Sequence, residues 1–232
     1  IYGRSFILDS TSRLLLIVVY LSSALWFIGS IAVKTQRAFI PLGLVISALL
    51  TAAISVEPFL YAAVLVELAA LVSVIILSPA GLAVKPGVLR FITYQTLGMV
   101  LLLFAGWMMD QLVLNPSDEQ LEIRAAIILG LGFAMLISAF PFSTWITMVA
   151  EDSNPLTASF IFFLPPVIIT LIGVSFLDRY PIFRSTPGFT AILVVLGVVM
   201  IFISGVWAAF QRNLGRIFGL AVAMEIGMIL VG

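Results

Sequence analysis

The sequence predicts an all-α fold, a polytopic membrane helix bundle of about eight transmembrane helices forming one domain over residues 1–232. Three observations predict it. Hydrophobic residues make up 62% of the chain and charged residues 9%, whereas a soluble domain carries about a quarter charged residues. A soluble core of this size cannot hide that much apolar surface, so the bulk of it must meet lipid or other membrane helices. The apolar residues also come in runs of roughly 20, the length that crosses a bilayer as a helix. In lipid a backbone must satisfy its own hydrogen bonds, which makes such runs helices. Finally, the runs lack the residue-by-residue alternation of barrel strands.

In chain order the predicted spans are 14–33, 38–55, 58–78, 88–108, 124–146, 157–177, 189–210 and 215–232. Polar links punctuate them. Lys34-Thr35-Gln36-Arg37 follows the first span and Asn115-Pro116-Ser117-Asp118-Glu119 the fourth. Glu151-Asp152-Ser153-Asn154-Pro155 follows the fifth and Asp178-Arg179-Tyr180-Pro181 the sixth. Each holds turn or capping residues where a span should end. Pro141 interrupts the fifth span, and Pro165 and Pro166 the sixth. Proline removes a hydrogen bond and clashes with the preceding turn, so broken helices are expected at these sites, with a simple kink as the alternative. Broken helices commonly line transport paths. Small residues such as Gly130, Gly132 and Gly197 allow close helix packing in any multispan protein.

The charges narrow the chemistry further. Net charge is zero, which offers no basic patch for nucleic acid. The absence of Cys removes disulfides, iron–sulfur clusters and thiolate metal sites. The absence of His removes the usual haem and zinc ligands and the commonest general base. No cofactor is therefore expected in this chain. Lys34, Arg37, Lys85, Arg90, Arg212 and Arg216 collect on one predicted side of the membrane, and Arg4, Arg13, Arg124, Arg179 and Arg184 on the other. The slight excess places the first side in the cytoplasm.

Two acids break the membrane pattern. Glu67 lies at the centre of the third predicted span and Glu225 within the last. A charge at the bilayer centre costs at least about 2.5–3.5 kcal/mol on insertion scales, so each acid is expected to face protein, a partner or water. One reading makes them protonatable stations on an ion path; the other makes each a neutral carboxyl bonded to a neighbouring helix. Arg90 lies near a span end, where it is either an interfacial anchor that snorkels or a partner for Glu67 on the adjoining span. Asp9, Arg13, Glu57 and Arg124 are expected at the interfaces.

Several stretches, in order along nearly the whole chain, resemble the antiporter-like subunits shared by respiratory complex I, membrane-bound hydrogenases and multisubunit cation/proton antiporters. Phe6-Ile-Leu-Asp9-Ser-Thr-Ser12 resembles that family's Asp-x-x-Ser entry to a helix. Glu67-Leu68 resembles its fifth-helix Glu, and Leu89-Arg90-Phe91 its next basic–aromatic helix start. Pro141-Phe142-Ser-Thr-Trp145, followed by Asn154-Pro155-Leu-Thr157-Ala158, is similar to the Pro-Phe-His-x-Trp and Thr-Pro-Val-Ser/Thr-Ala signature after a broken helix. Asn213-Leu-Gly-Arg216, then Met224-Glu225-Ile-Gly227, resembles the segment that ends in His-x-Gly.

The resemblance implies the third to tenth helices of a roughly fourteen-helix subunit built on inverted repeats. It implies a half-channel in which a Glu–Lys pair and further lysines pass protons. The chain departs from that pattern where the family's lysines fall, at about Leu136 and at Pro165 or Pro166, and Ser143 replaces the signature His. A Glu without its Lys lacks the partner that favours its ionised form, though a neutral carboxyl can still relay protons through water. The chain opens at Ile1 without Met and stops at Gly232 inside an apolar run, so a fragment of a longer protein is expected. By this resemblance its partners are other membrane subunits, the lipid bilayer and protons. NADH, flavin, iron–sulfur clusters and quinone belong to those other subunits. The expected location is a bacterial plasma membrane.

Overall fold

The computed structural model describes residues 5–6, 10–33, 35–57, 60–78, 83–114, 119–179 and 188–232. Of the residues singled out above, Arg4, Asp9, Lys34, Asn115, Pro116, Ser117, Asp118, Tyr180, Pro181 and Arg184 lie outside these. The fold is all-α. The helices among the described residues are α1 (Ser10–Val33), α2 (Phe39–Ser55), α3 (Leu60–Leu77), α4 (Pro86–Leu114), α5 (Glu119–Leu136), α6 (Thr144–Asp152), α7 (Pro155–Arg179), α8 (Phe189–Phe210) and α9 (Leu214–Val231). A short antiparallel bridge pairs β1 (Ser5–Phe6) with β2 (Val56–Glu57).

The chain is a membrane protein. Five of the described helices are long and apolar enough to cross a bilayer: α1 over Arg13–Val33, α4 over Pro86–Leu112, α7 over Pro155–Asp178, and all of α8 and α9. The expected count of eight is not confirmed among the described residues. α2 (Phe39–Ser55) and the described part of α3 (Tyr61–Leu77) are shorter apolar helices, near the lower end of the roughly 17–25 residues that span a bilayer. The predicted span 124–146 divides into two helices. α5 ends at Leu136, and α6 begins at Thr144.

Packing is uneven across the bundle. α7 is the central helix. Over half of its span, 56%, is buried, against 17% of α8. It packs on α1, α2, α3, α5 and α6, and its Phe160, Ile161, Leu164 and Ile168 are fully buried. Aromatic rings tie it to its neighbours. Phe160 meets Phe39 of α2 at 5.5 Å, and the Trp26 indole of α1 donates to Ser159 Oγ at 2.8 Å.

α7 runs unbroken through Pro165 and Pro166, which corrects the break expected there. Both prolines are buried in the best-packed part of the bundle. Neighbouring helices on several sides hold the helical path where two backbone donors are missing, as membrane helices permit.

α8 packs on α9, and α9 on α6. The short α6 is wedged between α4 and α9 by glycines on both sides. A Cβ at Gly87 of α4 would lie 2.8 Å from Met148 Cβ, and one at Gly219 of α9 would lie 2.7 Å from Thr147 Cα. Such contacts exist only where the side chain is a hydrogen.

Candidate site at Glu67

α3 carries Glu67 on its inner face, between Val66 and Ala70 and with Ala63 one turn away, all buried. Its side chain is 9% exposed. Thr96 of α4 donates its hydroxyl to Glu67 Oε1 at 2.7 Å. The other oxygen, Oε2, is buried and has no hydrogen-bond partner among the described residues. A buried acceptor without a partner is uncommon and asks for an explanation, an exchangeable proton or a bound water being the usual ones.

The residue before Thr96 serves a second polar problem. Gln95, 3% exposed, donates its amide to the Leu136 carbonyl at 3.0 Å. That carbonyl is left open because α5 stops there. Its end is a Schellman arrangement: Ala139 N–H bonds Ala134 O and Ser138 N–H bonds Met135 O, with Ser138 in the left-handed region at φ 63°. The motif closes the carbonyls of Ala134 and Met135 and leaves that of Leu136 for Gln95. Ser138, an uncommon residue at positive φ, is held by the Trp145 indole, which donates to its hydroxyl at 2.8 Å. Pro141 lies in the turn between α5 and α6, after a cis peptide bond. Consecutive residues of α4 thus bond one oxygen of the acid of α3 and the open end of α5.

The other sequence candidates fall elsewhere. Arg90 is exposed and is not the partner of Glu67; Thr96 fills that place, about 9 Å further along α4 at 1.5 Å per residue. Glu225 is exposed on α9, which packs on α6 and α8, whereas α3 packs on α2, α4 and α7. Gln95 and Thr96 were not singled out from the sequence. The signal available was two polar residues side by side in an apolar helix, aligned with nothing until the neighbours are known. Leu136 is 2% exposed and packs on Gly98 of α4, whose added Cβ would lie 2.9 Å from Leu136 Cδ2.

A charged face closes one end of the bundle. Lys85, ahead of α4, pairs with Asp152 at 3.0 Å, and Arg216 of α9 pairs with Glu151 at 2.7 Å. Asn213 caps α9 by accepting from Gly215 and Arg216 N–H and donates to Glu151 at 3.1 Å. Glu151 and Asp152 sit at the C-terminal end of α6, where the helix dipole disfavours anions; the two cations offset this. A cavity of about 130 Å³ opens beside the Lys85–Asp152 pair, lined by Gln36, Ser78, Asn154 and Thr157 among others. The buried hydroxyl oxygens of Ser78 and Thr157 have no hydrogen-bond partner among the described residues.

The chain matches no protein-family model, no curated protein and no solved structure.

Proposed function

We propose that this chain is a membrane subunit of a complex I-like NADH:quinone oxidoreductase, in a bacterial plasma membrane, and that it moves protons by way of Glu67. Electron transfer takes place in other subunits, which hold NADH, flavin, iron–sulfur clusters and quinone. The observation that carries the reading is the half-satisfied carboxyl of Glu67, with Oε1 on Thr96 and Oε2 buried and open. A group that gains and loses a proton needs a site whose hydrogen bonding is not saturated. The motif resemblance around Asp9, Glu67, Pro141 and Arg216 supports the choice of complex. Water in the cavity at Ser78 and Thr157 would stand about 16 Å from Glu67 along the axis of α3, just past its end.

The same helices serve a multisubunit cation/proton antiporter or a membrane-bound hydrogenase, and the neighbouring genes separate these readings. One observation favours a different class, a non-conducting scaffold of the membrane arm. The level where a lysine would complete the path holds Leu136, packed on Gly98. The deciding experiment is Glu67→Gln in the assembled complex. The proposal expects loss of coupled proton transfer with assembly intact. Unchanged pumping refutes the role of Glu67, and unchanged proton stoichiometry with both Glu67 and Glu225 replaced establishes the scaffold.

A further inference from the structure

Glu225 is an acid on an exposed face in the middle of a spanning helix. It follows Arg216, which is paired at the charged end of the bundle, by nine residues. At 1.5 Å per residue this sets it about 13 Å into the membrane, close to the mid-plane of a core roughly 30 Å thick. Ala221, Glu225, Met228 and Ile229 form an exposed stripe at helical spacing, while Val222, Ala223, Ile226 and Gly227 are buried. Glu225 makes no hydrogen bond or ion pair with the described residues.

Lipid is the wrong neighbour for this stripe, because intramembrane acids face protein or water and pair there. The surrounding side chains are apolar, so water alone is poorly held. A second copy related by a two-fold axis would set Glu225 against Glu225. Any other arrangement of a second copy lacks the complement too. Among the described residues every Lys and Arg lies within two turns of a helix end or in a link, far from the mid-plane.

We propose that this face of α9 is an interface for a partner transmembrane helix that sets a lysine or arginine side chain level with Glu225. An ammonium or guanidinium supplies several donors and cancels the charge, which removes the cost of both groups in the membrane at once. Ala221, one turn from the acid, lets the partner backbone approach closely. This rests only on α9 crossing the membrane and is independent of proton conduction through Glu67.

The test uses the chain in lipid nanodiscs, labelled at Arg212→Cys, an exposed position; the sequence has no other Cys. Energy transfer is measured to synthetic leucine–alanine helices with a central Lys, Gln or Leu. The Lys helix is expected to bind about three- to thirtyfold tighter than the Leu helix. Glu225→Leu should abolish that preference, and Glu225→Lys should redirect it to a helix with a central Glu. Circular dichroism confirms that each variant is folded; if Glu225→Lys does not insert, Glu225→Leu decides alone. Equal binding of the Lys and Leu helices overturns the proposal. So does a Gln helix that binds as tightly as the Lys helix, or a second copy of the chain that displaces the Lys helix.

Discussion

The Thr96 hydroxyl donates to Glu67 Oε1 at 2.7 Å, across the α3–α4 boundary. It satisfies one oxygen of a carboxyl whose other oxygen is buried and open. Removing the donor therefore leaves the whole group without a hydrogen bond. Thr96→Val keeps the shape and is expected to destabilise the chain by about 1–3 kcal/mol, read as a lower unfolding midpoint in detergent. Thr96→Ser should stay near wild type. The double change Thr96→Val with Glu67→Leu should recover most of the loss, since replacing both partners with apolar groups is nearly neutral. No recovery would mean that Glu67 bonds something besides Thr96.

Gln95→Leu should cost a similar amount, about 1–3 kcal/mol, by leaving the Leu136 carbonyl buried and unpaired. The check is local. Hydrogen exchange should accelerate at Ile137, Ser138 and Ala139, whose amides form the α5 terminus, more than in α8. Uniform acceleration would place the loss in global stability instead.

Ser138 separates two costs at one position. Ser138→Gly relieves the positive φ but loses the Trp145 bond, and the two changes should nearly cancel, within about 1 kcal/mol. Ser138→Val keeps the strain and loses the bond, since a β-branched residue at positive φ is an outlier. It should be the less stable variant by thermal unfolding, and the reverse order would contradict the backbone argument.

At Gly219, an alanine methyl would meet Thr147 Cα at 2.7 Å and the Ile146 carbonyl at 3.1 Å. Both contacts are with backbone, which yields less readily than a side chain. Gly219→Ala is expected to cost about 1–3 kcal/mol and to loosen the α8–α9 pair from α6. Faster exchange confined to α6, α8 and α9 is the expected signature.

The ion pairs of the charged face should matter little by comparison. The Lys85 and Asp152 side chains are 49% and 34% exposed, and exposed pairs contribute about 0–1 kcal/mol. Lys85→Met should shift stability within that range, and the shift should shrink in high salt. A loss as large as that of Thr96→Val would mean that the pair is held in a drier site than its exposure indicates.

The elements were far more legible than the site. Long apolar runs mark helices because a lipid-facing backbone has no other way to bond itself, and 189–210 matches α8 to the residue. The fifth span divides around Pro141, where the sequence has its interruption, but hydropathy sums over a window and does not register the Schellman turn at Ser138 that ends α5. Pro165 and Pro166 misled in the opposite direction, since the path of α7 is held by packing from other helices.

By itself the sequence determined that this is a helical membrane protein without Cys or His, and that Glu67 and Glu225 are out of place in hydrocarbon. Both follow from local chemistry, which each residue carries wherever it lies. Only the tertiary structure decided that Glu67 turns inward to Thr96, that Gln95 closes the end of α5, and that Glu225 faces outward. Hydrogen-bond partners far apart in sequence are chosen by which helix faces meet, and packing across the bundle fixes those faces.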